Sequence, residues 1–387
     1  MMRNKKIQFS TKMDPKIWSQ LPKDLLDHVL SFLPLKNFLK MKSTCKHFKS
    51  LLFSPSFISK HLSSYSSLCF LLLSHTQFHP VYPLFDTLLN NWRTLSLSPF
   101  HIKPSEFRSR FNNKTFNRGI NESPGSITKL LSSSNGLVCF SHQDSSSFVI
   151  CNLLTRSSRI VKFPKLPFQF ELLTLVCPSK GGYYKLFMLS CFGPSNKALV
   201  FDSKTQSWSE FEGLNLFFSE NYNQEGVFFD GLLYFITSEP FVIMGFDLDN
   251  GNWKISEFGL PNGLAFARLC SDGKGKLFLI GGLGVSGISR NMKLWELNEE
   301  GGWMEIQTVP ELMCRKFLSV SYHNYEHVYC FWHQGLICLC CYNWPEILYF
   351  KVSRRTWHWV PKCPSLPDKW SCGFRWFSFV PELYAIA

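Results

Sequence analysis

The sequence predicts a small all-α unit of three short helices followed by a large all-β ring of six four-stranded blades. Three observations carry this prediction. Apolar residues recur at helical spacing near the front. The rest of the chain is rich in residues that favour strands, with 38 Phe and 12 Trp among 387 residues. A strand–turn–Trp unit then recurs along the body.

The front comes first. In "LPKDLLDHVLSFLP" (residues 21–34), Leu25, Leu26, Val29, Leu30 and Leu33 fall on one side of a helix. Lys23, Asp24, Asp27, His28 and Ser31 fall on the other. Pro22 suits the first turn, where its missing N–H costs nothing. Asp24 meets the positive end of the helix dipole, and Pro34 is expected to stop the helix. A second helix fits "KNFLKMKS", with Phe38, Leu39 and Met41 or Lys42 near its inner face. A third fits "CKHFKSLLF", where Cys45, Phe48, Leu51 and Leu52 stand three to four apart.

Helices of about ten residues are marginal alone. A unit of about 40 residues with neither disulfide nor metal is hard to sustain. The apolar stripe is therefore covered by the main domain, by a partner protein or by a membrane surface. Two Asp against one Lys on the polar face weigh against the membrane.

Charge divides the chain as well. The formal net charge is +13, and residues 1–60 hold twelve Lys/Arg against three Asp, which is nine of those thirteen charges. Residues 1–15 read as a basic tail. A basic segment fits nucleic acid, an anionic membrane or an acidic protein, or is simply solvated. The front shows no secretory h-region, and the apolar run "LCFLLL" (68–73) is too short to span a bilayer. Fourteen cysteines without a C-x-x-C framework then read as free thiols of a reducing compartment, cytoplasm or nucleus.

In the body (65–387), Phe85, Phe201, Phe246 and Phe350 each precede a tryptophan by seven residues: Trp92, Trp208, Trp253 and Trp357. Trp295 precedes Trp303 by eight, and Ser158 takes the Trp place in "ICNLLTRSSRIVKFP". The six anchors are 66, 50, 45, 50 and 54 residues apart, room for four short strands each. Such units cannot bury both faces alone, so neighbours stack into a ring. An insert near 101–130 separates the first two. The C-terminal "FSFVPELYAIA" is expected to supply a strand beside "SLCFLLLS" in the first blade.

Several motifs invite chemistry and do not carry it. Gly282, Gly284 and Gly287 match G-x-G-x-x-G, but a β-like segment follows where a helix is needed. These glycines read as a loop between blade strands. His333, Cys338, Cys340 and Cys341 lack the paired spacing of a zinc site and read as buried thiols beside a histidine. His75 and His79 lack a third ligand. No metal, cofactor or catalytic residue is expected. The segments after each blade's last strand, such as "LNLFFSENYN", "LPNGLAFARL", "VPELMCRKFLS" and "LPDKWSCGFRW", read as recognition loops on a rigid scaffold. Phe217, Phe218, Phe266, Arg268, Arg315, Phe317, Trp370 and Arg375 are their candidate substrate-facing residues.

Residues 17–57, "IWSQLPKDLLDHVLSFLPLKNFLKMKSTCKHFKSLLFSPSF", resemble an F-box: the Trp before Leu-Pro, the L-P-x-[DE]-L-L-x-x-[VI]-L-x-x-L run, and the later Cys-Lys-x-Phe. The chain resembles plant F-box/kelch-repeat proteins, and "LFLIGG" (277–282) carries the kelch double glycine. The resemblance implies an F-box at 16–60 and a kelch-type propeller at 65–387. It implies a non-catalytic substrate-receptor subunit of a Skp–cullin–F-box ubiquitin ligase, joined to cullin and RING protein through a Skp-family adaptor. The family's adaptor-contacting positions fall on Leu21, Pro22, Leu25, Leu26, Val29, Leu30, Leu33, Pro34, Cys45, Phe48 and Leu52. A basic nuclear protein acting as transcriptional co-regulator is the alternative, with direct nucleic-acid binding the less favoured form.

Overall fold

The computed structural model describes residues 20–33, 44–51, 54, 56–57, 60–61, 69–78, 81–96, 129–141, 147–163, 170–178, 182–190, 197–213, 224–237, 240–285, 287–321, 325–366, 372–382 and 385–387. The chain divides into two compact units, residues 1–67 and 68–387.

In the first unit, helix α1 (Lys23–Ser31) starts from Pro22, whose φ of −53° and ψ of 142° place it at the N-cap, one position before the expected first turn. Its carbonyl accepts the Leu26 N–H at 2.9 Å. The helix is already closed at Ser31 by tighter turns, Phe32 N to Val29 O and Leu33 N to Leu30 O, and the Ser31 hydroxyl donates to the His28 carbonyl at 2.6 Å. Helix α2 (Lys46–Leu51) follows Cys45, whose carbonyl accepts the Lys49 N–H. His47 on α2 meets Asp27 on α1 at 3.1 Å. Leu30, Leu51 and Phe57 are buried. The expected second helix lies outside the described residues, as do Pro34 and Leu52.

In the second unit, twenty-four described strands form six four-stranded antiparallel sheets. Blade I holds β1 (Phe70–Ser74), β2 (Val81–Asp86) and β3 (Asn91–Ser96). Blade II holds β4 (Lys129–Ser134), β5 (Leu137–Ser141), β6 (Ser147–Asn152) and β7 (Ser157–Lys162). Blade III holds β8 (Phe170–Val176), β9 (Lys185–Ser190), β10 (Lys197–Asp202) and β11 (Ser207–Glu212). Blade IV holds β12 (Val227–Phe229), β13 (Leu232–Ile236), β14 (Ile243–Asp247) and β15 (Trp253–Ile255). Blade V holds β16 (Leu264–Ser271), β17 (Leu277–Val285), β18 (Ile288–Leu297) and β19 (Trp303–Thr308), and helix α3 (Glu311–Ser321) follows it. Blade VI holds β20 (Val328–His333), β21 (Leu336–Cys341), β22 (Trp344–Lys351) and β23 (Thr356–Trp359).

The last strand, β24 (Arg375–Phe379), completes blade I by pairing antiparallel with β1, Phe70 opposite Phe379 and Ser74 opposite Arg375. The C-terminal strand thus sits where the sequence places it. The residues after it pack on blade II, where the Asn152 amide donates to the carbonyls of Glu382 and Ala385, both at 2.8 Å.

The Phe–Trp spacing is a hairpin between the third and fourth strands. Phe85 lies opposite Trp92, Phe201 opposite Trp208, Phe246 opposite Trp253 and Phe350 opposite Trp357. Ring centroids are 4.7–5.4 Å apart, within the range of favourable aromatic pairs. Two residues before each anchor the backbone turns left-handed, at Asn90, Arg156, Gln206, Gly251, Gly301 and Arg355. An Asp or Asn side chain opens most of these turns, as Asp247 does by accepting the N–H groups of Asp249 and Asn250. Some anchors also bridge blades: the Trp208 indole donates to Lys162 O and that of Trp253 to Glu212 O, each on the preceding blade's outer strand.

Middle strands such as β6 are buried along their whole length and outer strands such as β3 are largely exposed. The apolar core is accordingly a set of seams between neighbouring blades, II–III, III–IV, IV–V and V–VI, with one larger cluster across VI, I and II.

The seam that closes the ring includes His333. Its Nδ1 meets Ser378 Oγ at 2.9 Å and its Nε2 meets Thr87 Oγ1 at 3.3 Å. Burial pushes this imidazole down to about 4. Folding therefore favours the neutral ring. The stability it contributes is complete above the ordinary value of 6.5 and is lost as pH falls toward 4. Urea unfolding between pH 7.5 and 4.5 is expected to show wild type losing up to about 1.4 kcal/mol per pH unit more than His333→Asn.

Candidate functional site

Two surfaces stand out, one in each unit. On α1 and the turn after it, Leu25, Val29 and Phe32 are 53, 40 and 59% exposed. At spacings of four and three they form one apolar stripe along the helix. Leu30 is only 3% exposed, and Leu26 and Leu33 are intermediate. The helix thus has an inward apolar edge and an adjoining open one. Of the other expected adaptor positions, Leu21 and Phe48 are half-buried, while Pro22 and Cys45 are exposed. Phe32 extends the open edge and was not among the sequence candidates, although it falls on the same period.

The second surface is the centre of the ring. Inner strands β24 and β4, β4 and β8, β12 and β16, β16 and β20, and β20 and β24 lie side by side. Residues 224–226, just ahead of β12, reach every other blade. Gln224 accepts the Cys330 N–H of blade VI at 2.9 Å and donates toward Leu269 O of blade V at 3.4 Å. The Glu225 carboxylate accepts the Ser132 hydroxyl of blade II and lies 3.7 Å from Arg375 of blade I. The Gly226 N–H donates to Thr174 Oγ1 of blade III at 2.8 Å. Burial raises Glu225 to about 7, against the opposing pull of Arg375 and Ser132. A quarter of its side chain, 26%, remains open, so the group is enclosed by protein atoms yet reachable from the lumen.

The structure separates the expected substrate-facing residues. Phe266 and Phe317 are 1% exposed and belong to the core between blades V and VI. "LPNGLAFARL" is mostly the inner strand β16, and "ELMCRKFLS" is helix α3, whose Cys314, Phe317 and Leu318 face inward. Arg268 is buried and donates to the carbonyls of Val328, Ala267 and Tyr325. Arg375, on β24, is buried at the centre. Arg315 is exposed and pairs with Glu311 along α3. Phe217, Phe218 and Trp370 lie outside the described residues. A correction follows for Phe266, Phe317 and Arg268, which pack between blades instead of on loops over them, while Arg375 lies on the inner strand β24 and not on a loop. Gln224, Glu225 and Ser132 of the central cluster carry no local sequence signal.

The glycine motif is also structural. Gly282 and Gly284 lie within β17 instead of in a loop, and a Cβ there would strike Ser289 Oγ and Ile288 O at 1.9 and 1.7 Å. Cys338, Cys340 and Cys341 are fully buried. His75 is buried with its ring stacked on Phe374 at 4.4 Å, and His79 lies outside the described residues.

Known proteins carry the same two parts. A family model described as an F-box domain matches residues 18–60, and one described as an F-box associated beta propeller domain matches residues 64–262. An F-box/kelch-repeat protein of Arabidopsis thaliana is 50% identical, covering 97% of this chain and 90% of its own. The chain belongs to the F-box/kelch-repeat family. Protein UNUSUAL FLORAL ORGANS of Arabidopsis thaliana is 25% identical over 91% of this F-box protein and 80% of its own length. Among solved structures, a chain from a nidogen/laminin complex covers 81% of the F-box protein at 10% identity with a TM-score of 0.43. The exposed stripe Leu25–Val29–Phe32 lies inside the matched F-box. The hub at 224–226 lies inside the matched propeller.

Glu225 gives this F-box protein a pH signature. Its folded value exceeds the ordinary 4.5, so the stability it contributes is complete below 4.5 and is lost as pH rises through about 7. Glu225→Gln keeps an acceptor for Ser132 and removes the titration. Denaturant unfolding is expected to find the variant more stable than wild type at pH 8, with the difference vanishing at pH 4.

Proposed function

We propose that the chain is the substrate-receptor subunit of a Skp–cullin–F-box ubiquitin ligase. The helical unit binds a Skp-family adaptor and, through it, cullin and RING protein; the propeller holds the target. The observation that carries this reading is the open stripe of Leu25, Val29 and Phe32 within the F-box match. Three apolar side chains held open on one helix edge form an unpartnered patch that an apolar groove would desolvate, at most about 1.5–3 kcal/mol each. Association itself costs about 4–15 kcal/mol, so the flanking half-buried Leu21, Leu26, Leu33 and Phe48 contribute to the same contact. The basic front supports an acidic partner surface, which speeds encounter more than it tightens the complex.

In this role the chain supplies no reacting group. It acts by holding target lysines beside a charged ubiquitin-conjugating enzyme, raising their effective concentration. The cytoplasm and nucleus, where free thiols persist, are the compartments this reading requires.

The test is capture by a purified Skp-family adaptor. Leu25→Asp with Val29→Asp places two charges on positions that are already exposed, so folding is preserved while the contact is broken. Affinity is expected to fall at least about 100-fold, with the circular dichroism and unfolding curve unchanged. Undiminished capture by the double variant overturns the assignment.

A further inference from the structure

The ring centre has more cation than it needs. Arg375 opens β24 and Lys129 opens β4, which are neighbouring inner strands. Among the described residues Arg375 meets one carboxylate, Glu225, at the long distance of 3.7 Å, and Lys129 pairs with none. Among the described residues the buried Arg375 Nε has no hydrogen-bond partner. Lys129 is exposed at the start of β4. Its ammonium is lowered by burial first and by repulsion from Arg375 second. Glu225 also lines a small cavity of about 40 Å³ with Gln224, Arg268 and the apolar Leu172, Phe235 and Ile236. Arg268 is held by the carbonyls of Val328, Ala267 and Tyr325, with the Glu326 charge acting on it. A buried guanidinium short of counter-charge is costly, and an arriving anion relieves that cost with charge-assisted bonds.

We propose that the centre of the ring binds an acidic segment of the target protein, whose carboxylate or phosphoryl group is received by Arg375 and Lys129, with Glu225 competing for the same cations. This rests on the propeller being the target-holding part. Ionised, Glu225 occupies Arg375; protonated, it releases it. The groups around Glu225 are Arg375 of β24, Ser132 of β4, Cys139 of β5, Gln224 of its own segment and Arg268 across the pocket. Cys139 is pushed well up by burial and stays neutral. Of these groups Glu225 alone changes charge between pH 6 and 8, because it titrates at about 7. Capture of an anion therefore strengthens as pH falls through that range.

The probe is a fluorescein-labelled octaglutamate peptide, read by anisotropy with the full chain. Arg375→Gln and Lys129→Gln are each expected to weaken binding at least about tenfold. The exposed Lys254→Gln leaves it unchanged. Glu225→Gln tightens binding several-fold at pH 8 and matches wild type at pH 6, a pattern that general charge attraction does not produce. An octapeptide bearing phosphoserine that outbinds octaglutamate, with inorganic phosphate competing, assigns the anion as phosphoryl; the reverse order assigns it as carboxylate. Binding that survives both cation substitutions belongs to the basic front of the chain and overturns the proposal. Should Arg375→Gln fail to fold, Lys129→Gln and Glu225→Gln decide. Adaptor capture, measured on the same samples, separates the outcomes: intact capture without anion binding sinks this proposal alone, and lost capture with anion binding sinks the ligase reading alone.

Discussion

Six blades arranged in a ring must bring six inner strands to one axis, where polar groups crowd and many are withdrawn from solvent. Buried backbone and side-chain polar atoms left unpaired there would each cost about 1–3 kcal/mol. The segment Gln224–Glu225–Gly226 answers this constraint with one short stretch of chain. Hydrogen bonds or charge contacts join it to Cys330, Leu269, Ser132, Thr174 and Arg375, residues from all five other blades. Such contacts are possible only at the axis, because blade IV shares no seam with blades I, II or VI. The hub therefore fixes the blades at their inner ends while the aromatic pairs lock the outer hairpins of blades I, III, IV and VI.

What was legible in the sequence follows from how local each interaction is. Phe246 and Trp253 are seven residues apart, and the turn between them needs Asp, Asn and Gly for reasons visible in the sequence itself. The pattern survives in blade II even with Ser158 in place of tryptophan, since Cys151 still pairs opposite it. Closure through β24 was legible as well, because a ring must join its ends and only the last apolar segment was left to do so. The connections between blades were less transparent. "ELMCRKFLS" carries apolar residues at helical spacing, a signal that the strand-rich surroundings concealed, and α3 buries Cys314, Phe317 and Leu318 accordingly. The inner strand β16 has no such excuse of spacing: Arg268 reads as exposed in any local window, yet three carbonyls from two blades enclose it.

The central cluster was illegible for a deeper reason. Ser132 and Glu225 are 93 positions apart, and Glu225 and Arg375 are farther still. Nothing within either segment marks its partner; the ring alone selects them. The helical unit shows the opposite case. Periodicity alone located the apolar edge of α1, and the structure refined it by showing Leu30 buried and Leu25, Val29 and Phe32 open. A 3.6-residue period says which residues share a face, but an apolar face wider than its neighbours can cover divides into an inner and an outer edge. That division is a matter of packing and needs three dimensions.

The two edges of charge chemistry in the ring also bear on each other. His333 holds the closing seam as a neutral ring between Thr87 and Ser378, while Glu225 holds the axis as a carboxyl poised near neutrality. Acidification weakens the first and relaxes the second, so each opposes the other in the window between about 4.5 and 6.5. A ring built with His333 alone would grow fragile as pH fell; one built with Glu225 alone would grow fragile as it rose. Together they flatten the dependence of the fold on pH, and this leaves the charge state of Glu225 free to change at the axis without threatening closure at the seam. A group that can titrate without unfolding its scaffold is able to serve recognition, which is why the poised carboxyl is more informative at the centre of a tightly closed ring than it would be on a mobile loop.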